Sequence, residues 1–215
     1  FYQVGVGVGS DALYKAAIQL GFNSPTGIEL FYEEGTGLVG NEEWANLGRG
    51  TGKPGQTPWI PEDIASASIG QSVIQVTPLQ LARAYSVFAN GGYLITPHFV
   101  EGDVDWTSKE HRKKVDMKLT TLQTIRNGLR QAVLRGTGMK IRLNVPNLPP
   151  VAGKTGTAED SSGGLDHAWF ACFAPYKDSE IVVVAFAQNT PGGGSVHALP
   201  MAKQVLEMWN LIREP

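Results

Sequence analysis

The sequence predicts an α+β protein in which an antiparallel sheet packs between helices. Three observations carry that expectation. Helical patterns and loops occupy roughly residues 1–150, three short β-prone segments follow one another, and a last helical pattern closes the 215-residue chain. Strands grouped in this way, joined by short polar connections, favour antiparallel pairing over a parallel crossover fold.

The elements are expected in the following order. Ser10 caps a short helix with Leu13, Ala17 and Leu20 on one face, and Gly21 ends it. A long surface loop covers residues 35–61, where glycine and proline concentrate, as in Gly48-Arg-Gly-Thr-Gly-Lys-Pro-Gly55. Thr77-Pro78 is a strong helix start, a capping hydroxyl followed by proline at the first helical position. That helix carries Leu81, Tyr85 and Phe88 at helical spacing and stops at Asn90-Gly91-Gly92. Another begins at Thr120 or Thr121, aligns Leu122, Ile125, Leu129 and Val133, and stops at Arg135-Gly136. Val151–Glu159, His167–Ala174 and Ile181–Ala187 read as strands, the last two joined by the compact turn Tyr176–Glu180. A helix from about Leu199 is expected to turn Met201, Val205, Met208 or Trp209, and Ile212 inward.

Composition narrows the function. At 42% hydrophobic residues the chain can bury a sizeable core, and a formal net charge of −2 argues against a nucleic-acid partner. The dense basic run Lys109–Lys114 is interrupted by Glu110 and reads as a solvated loop or helix face. A single cysteine, Cys172, excludes an internal disulfide framework, and its apolar neighbours place it in the core. The longest apolar stretch, Ile181–Ala187, is too short to span a bilayer. With no initiator methionine, signal peptide or anchor in the sequence, the chain is expected to have been cut at its N-terminus.

The segment that carries chemistry is Gly153-Lys154-Thr155-Gly156-Thr157-Ala158-Glu159. It sets a cation, two hydroxyls and a glycine on one short strand. An ammonium attracts a carboxylate, hydroxyls orient it, and glycine lets a backbone approach. Alternation sends Lys154, Gly156 and Ala158 to one face and Thr155, Thr157 and Glu159 to the other. A phosphate-binding loop is excluded, because the glycine required five residues before Gly153 is Leu148, followed by Pro149 and Pro150. Gly5, Gly7 and Gly9 fail the dinucleotide fingerprint, whose third glycine would fall at Ser10. His98, His111, His167 and His197 show no metal-ligand spacing. Gly193-Gly194-Ser195-Val196-His197 lacks the closing glycine of a nucleophile elbow. Trp44, Trp59 and Tyr93 are candidates for a groove lining, with ordinary packing the simpler role.

Lys154-Thr155-Gly156-Thr157-Ala158-Glu159 resembles the third active-site motif of penicillin-binding proteins. Further segments resemble that family in order along the chain. They are Gly70-Gln71, Val76-Thr77-Pro78-Leu79-Gln80-Leu81-Ala82, Phe88-Ala89-Asn90-Gly91-Gly92, Asp166–Pro175, and Gly192-Gly193-Gly194 with Ala198 and Pro200. Ala158-Glu159 after Lys-Thr-Gly-Thr resembles the class B enzymes, and Asp166-His167-Ala168-Trp169-Phe170 their elongation, or rod-shape, branch, with the septal branch as runner-up.

The resemblance implies a β-lactamase/transpeptidase-like fold and peptidoglycan D,D-transpeptidation through a serine acyl-enzyme, without metal or organic cofactor. It implies stem peptides as substrates, β-lactams as inhibitors, a membrane glycosyltransferase as partner, and an extracytoplasmic domain of a membrane-anchored protein. Lys154 would hold the terminal carboxylate of the substrate, Thr155 and Thr157 would hydrogen-bond, Gly156 would keep the strand flat, and the Thr157 N–H would be half of the oxyanion hole. Residues 1–150 and 151–215 would be the helical and sheet parts of a single domain. The chain departs from the family in one respect: it contains no Ser-x-x-Lys, Ser-x-Asn or Ser-x-Asp. It is therefore expected to begin just after the second motif, to lack the N-terminal part of the domain, and to be inactive alone. The alternatives are a D,D-carboxypeptidase or β-lactamase, and a non-catalytic penicillin-recognising sensor module.

Overall fold

The computed structural model describes residues 1–29, 34–47, 59–100, 102, 104–142, 147–160 and 163–213. The core is a three-stranded antiparallel sheet of β5 (Ala152–Ala158), β6 (His167–Ala174) and β7 (Ile181–Ala187), in the order β5-β6-β7. All three strands fall within a residue of the expected bounds. Two further antiparallel ribbons occur among the described residues. β1 (Leu38–Val39) pairs with β2 (Ile74–Gln75), and β3 (Tyr93–Ile95) with β4 (Arg112–Lys114). The predicted α+β architecture is observed.

The central strand β6 is apolar on both faces and is covered on both. Ala168, Phe170, Cys172 and Ala174 pack with Leu199, Ala202 and Leu206 of α7 (Ala198–Arg213). Phe173 and the neighbouring Ala152 of β5 pack instead with Phe88 of α5 (Pro78–Ala89) and Leu122 of α6 (Leu119–Arg135). α6 starts on the α5 side of the sheet, whereas Val133 near its end joins the α7 side. The helix thus borders β5. It leads through Gly136–Gly138 into a 3-10 helix, Met139–Arg142. Before α5 lie α1 (Tyr2–Val8), α2 (Ser10–Gln19), α3 (Glu42–Asn46) and α4 (Pro61–Ala67). α3 falls in the stretch expected to be loop, whose residues 48–58 lie outside the described residues, and α4 starts at its last residue.

The start of α5 follows from its sequence. Thr77 Oγ1 accepts from the Gln80 N–H at 3.1 Å, and the Thr77 N–H donates to Gln80 Oε1 at 2.9 Å, a reciprocal cap. Gln80 is fully buried, and its amide nitrogen donates to the carbonyls of Ser24 and Thr36 at 2.8 and 2.7 Å. One side chain therefore satisfies three backbone groups. Thr77→Ala is expected to cost ~1 kcal/mol. Gln80→Leu should cost more, because it strands buried polar groups at ~1–3 kcal/mol each. Denaturant melts of the two variants check the order; equal losses would show that the buried amide adds nothing to the cap.

Several expectations need correction. Ser10 is the first residue of α2, not its cap; Gly9 caps it, with φ 85°, and divides α1 from α2. α1 carried no recognised signal. The basic run ends in a strand rather than a loop or helix: Arg112 and Lys114 lie over the Tyr93 ring at 4.1 and 4.4 Å, a solvated cation–π pair. The largest correction concerns α7. Ala198, Leu199, Ala202, Leu206 and Asn210 are buried, with Trp209 packed beside them. Met201, Val205, Met208 and Ile212 are 45–78% exposed. The helix carries two apolar stripes, and the one with alanines faces the sheet because small side chains let the helix approach it closely.

Candidate active site

Among the described residues β5 pairs with β6 on one side only, and its other edge meets side chains. The carbonyls that point off the sheet can be read from their partners. Val151 O accepts from Arg130 at 2.7 Å, Thr155 O from Lys154 Nζ at 2.7 Å, and Thr157 O from Gln71 Nε2 at 3.4 Å. In an antiparallel strand a residue's N–H and C=O point the same way. The N–H of Thr157 therefore also faces outward, away from β6, where an oxygen outside the sheet could accept from it.

Side chains alternate as the sequence predicts. Lys154 and Gly156 stand opposite Ala171 and Trp169 on the α5 side, and Thr155 and Thr157 opposite Phe170 and Ala168 on the α7 side. Lys154 is exposed and has no ion pair among the described residues. Its ammonium rests on a neutral carbonyl, which leaves it available to a carboxylate. Gly156 lies flat against the sheet: a Cβ there would come 3.2 Å from that of Trp169. Thr155 Oγ1 is 2.5 Å from Thr137 Oγ1 in the turn after α6. Thr157 is exposed, and its Oγ1 accepts from the Gly194 N–H at 3.4 Å.

Two glycines fix that last contact. A Cβ on Gly194 would overlap the carbonyls of Trp169 and Gly156, and one on Gly193 would overlap Thr157 Oγ1. The loop entering α7 can sit against β5 and β6 only if both positions lack a side chain. Beside Gly156 and Thr157 opens a cavity of about 370 Å³, lined by Leu13 and Tyr14 of α2, Val39, Leu81 of α5 and Trp169. Trp59 also lines it, whereas Tyr93 lies elsewhere, under its cations. The site thus combines an unpaired cation, an outward N–H and an apolar recess within one strand and its surroundings.

The other reactive groups fit structural roles. Cys172 is fully buried, and burial pushes its thiol pKa up to about 12, so it is not a thiolate nucleophile at neutral pH. His167 Nδ1 accepts from the Asn189 N–H at 3.2 Å, and the ring meets Phe186 edge-on. Sequence reasoning placed Lys154–Thr157 on the strand but missed Thr137 and gave no role to Gln71. The glycines around Thr137 were the one available hint. The contact with Thr155 joins residues 18 apart, a spacing with no signature in sequence.

An edge strand bearing Lys-Thr-Gly, on an antiparallel sheet flanked by helices, fits the class of penicillin-recognising proteins. The chain belongs to the family of the penicillin-binding protein transpeptidase domain, whose model matches residues 1–207. It is 33% identical to the peptidoglycan D,D-transpeptidase MrdA of Haemophilus influenzae, over 97% of this chain and 34% of that protein. Against MrdA of Acinetobacter baumannii it is 32% identical, over 100% of this chain and 33% of that protein. The chain thus spans about a third of the length of these relatives. Among solved structures, Helicobacter pylori PBP2 in complex with MreC superposes with a TM-score of 0.81 at 27% identity, over 100% of this chain and 37% of that one. Pseudomonas aeruginosa PBP2 in complex with WCK 5153 gives a TM-score of 0.81 at 29% identity, over 97% and 46% of the two chains. A structure describing the coordination of polymerization and crosslinking by a peptidoglycan synthase complex gives 0.74 at 34% identity, over 94% and 33%. These relatives bear out the resemblance to a class B penicillin-binding protein of the elongation type.

Proposed function

We propose that this chain supplies the substrate-clamping strand of a peptidoglycan D,D-transpeptidase. The observation that carries the reading is the exposed, unpaired Lys154 on the same free strand edge as the outward N–H of Thr157. In the reaction, a serine oxygen attacks the carbonyl of a terminal D-Ala-D-Ala peptide. The resulting oxyanion accepts from the Thr157 N–H and from the N–H of the serine. The C–N bond then breaks, D-alanine leaves with a proton on its nitrogen, and an acyl-enzyme remains. The amine of a neighbouring stem peptide attacks that ester, loses a proton and regenerates the serine. Lys154 holds the terminal carboxylate and biases the proton network. Thr155 and Thr157 hydrogen-bond around it, and Gly156 keeps the strand flat against the substrate. No step calls for a metal or an organic cofactor.

The serine is not among residues 1–215 in the Ser-x-x-Lys setting that the family uses. The apolar cavity beside Gly156 and Trp169 leaves open space next to the Lys-Thr-Gly strand, which supports an approach of the serine from that side. Residues 1–150 and 151–215 are then two parts of a single domain, consistent with α5 and α6 packing on the sheet. The reading includes partnership with a membrane glycosyltransferase; the peptidoglycan synthase complex that couples polymerization and crosslinking among the similar structures supports it. An extracytoplasmic, membrane-anchored location follows from the family; no helix among the described residues is long and apolar enough to cross a membrane.

Labelling with a fluorescent penicillin tests the proposal. The 215 residues alone are expected to remain unlabelled, whereas a longer form that includes the Ser-x-x-Lys segment should be acylated on that serine. A stable adduct on a serine of residues 1–215 would overturn the assignment. Incubation of the longer form with D-Ala-D-Ala peptides, with and without an acceptor amine, separates the alternatives. Cross-linked product identifies a transpeptidase, release of D-alanine alone a carboxypeptidase, hydrolysis of the β-lactam a β-lactamase, and binding without turnover a sensor module.

A further inference from the structure

Charge is distributed very unevenly along this chain. Residues 117–158 contain Lys118, Arg126, Arg130, Arg135, Lys140, Arg142 and Lys154 but no aspartate or glutamate, although the whole chain carries a net charge of −2. Arg126 is absorbed by the fold: its guanidinium donates to the carbonyls of Phe88, Ala89 and Tyr176 and lies 5.0 Å from the Phe173 ring centroid. Arg130 and Arg142 are different. Both line a cleft of about 280 Å³ at the start of β5, together with Asn147, Leu148, Pro149 and Pro150. Arg130 gives one N–H to Val151 O at 2.7 Å, and neither arginine has an ion pair among the described residues. The intervening Leu143-Asn-Val-Pro146 brings no carboxylate in its sequence.

Two guanidiniums on one cleft repel each other. Burial first, and Arg142 second, push the pKa of Arg130 below its ordinary value. A guanidinium has five donors, of which the Val151 contact uses one. Asn147, held at φ 59°, adds an amide that can also donate. Pro149 and Pro150 fix the backbone φ of the wall and offer no N–H of their own. The cleft therefore carries two guanidiniums and no carboxylate among its described lining residues, and an anion would relieve the repulsion.

We propose that this cleft is an oxyanion site, in which Arg130 and Arg142 grip a carboxylate or phosphate group and Asn147 supplies a third donor. Planar forks of this kind recognise such oxygens in pairs. The cleft lies six residues, about 20 Å along an extended strand, from Thr157. It does not depend on the transpeptidase reading.

Titration of the protein with inorganic phosphate and with acetate, in dilute chloride buffer and followed by NMR at the arginine Nε and asparagine amide signals, tests it. Saturable binding is expected, with shifts at Arg130, Arg142 and Asn147. Arg142→Gln, an exposed position that leaves the Val151 contact intact, should weaken it at least tenfold. Arg130→Gln should do the same if it folds. Arg135→Gln, exposed in the same acid-free stretch but outside the cleft, should leave it unchanged. Tighter binding of phosphate assigns a phosphate ligand, and tighter binding of acetate a carboxylate. The absence of saturable binding would overturn the proposal, as would an equal loss in Arg135→Gln and Arg142→Gln, which is the behaviour of a diffuse basic surface.

Discussion

Lys154→Ala in an active, full-length form is expected to lower the rate of acylation by a β-lactam by roughly 10²–10³-fold, the usual loss for one preorganised electrostatic stabiliser. Stability should hardly change, because Lys154 is exposed and anchored by a single bond to the Thr155 carbonyl; such surface changes cost within about 0.5 kcal/mol. Lys154→Arg keeps the charge but spreads it over a planar fork, so partial recovery is expected. A companion variant isolates the backbone donor. Proline at position 157 deletes the N–H, yet that N–H points off the free edge of β5, where a sheet tolerates proline. Thr157→Pro should therefore keep the ladder with β6 and still lose acylation. Stopped-flow labelling with a fluorescent penicillin, alongside thermal melts, reads both effects. Unchanged acylation in Lys154→Ala would remove this lysine from the mechanism.

Legibility of the structure in the sequence depended on the range of the deciding interactions. β6 and β7 were read to the residue because a strand buried on both faces is apolar without interruption and its flanks, Pro175 and the polar turn, are local. The start of α5 was legible for the same reason: Thr77, Pro78 and Gln80 form a self-contained cap. The inward face of α7 was not, since both stripes are apolar and only the sheet decides between them. The two- and three-residue ribbons β1–β2 and β3–β4 are too short to leave a periodicity. At the site, Lys154, Thr155, Gly156 and Thr157 could be named from a motif, and alternation gave their faces. Thr137 against Thr155, Gln71 on Thr157 and the Gly193-Gly194 loop on β5 are contacts between distant residues, with nothing in local sequence to mark them.

Gly194→Val is expected to damage both stability and function. No left-handed backbone is involved at Gly194; the obstacle is space. The added Cβ meets the backbone oxygens of Trp169 and Gly156, which belong to paired strands and cannot turn aside as a flexible side chain would. The loop must lift instead. Lifting it separates the Gly194 N–H from Thr157 Oγ1 and strains the bond from the Leu199 N–H to the Gly194 carbonyl, 2.9 Å long at the start of α7. Leu199 is 1% exposed and packs on Phe170, so the disturbance reaches the core. Overpacking of this kind costs about 1–3 kcal/mol, and more where backbone has to move. Gly128→Ala provides the contrast: it lies within α6 with no atom near its added Cβ, and alanine there should stabilise by ~0.5–1 kcal/mol. Urea melts of the two variants should therefore shift in opposite directions. Full-length Gly194→Val should also acylate more slowly than its stability loss alone explains, because Thr157 has lost its support. A Gly194→Val protein as stable as the parent would mean that the loop has room that its close approach to β5 and β6 denies.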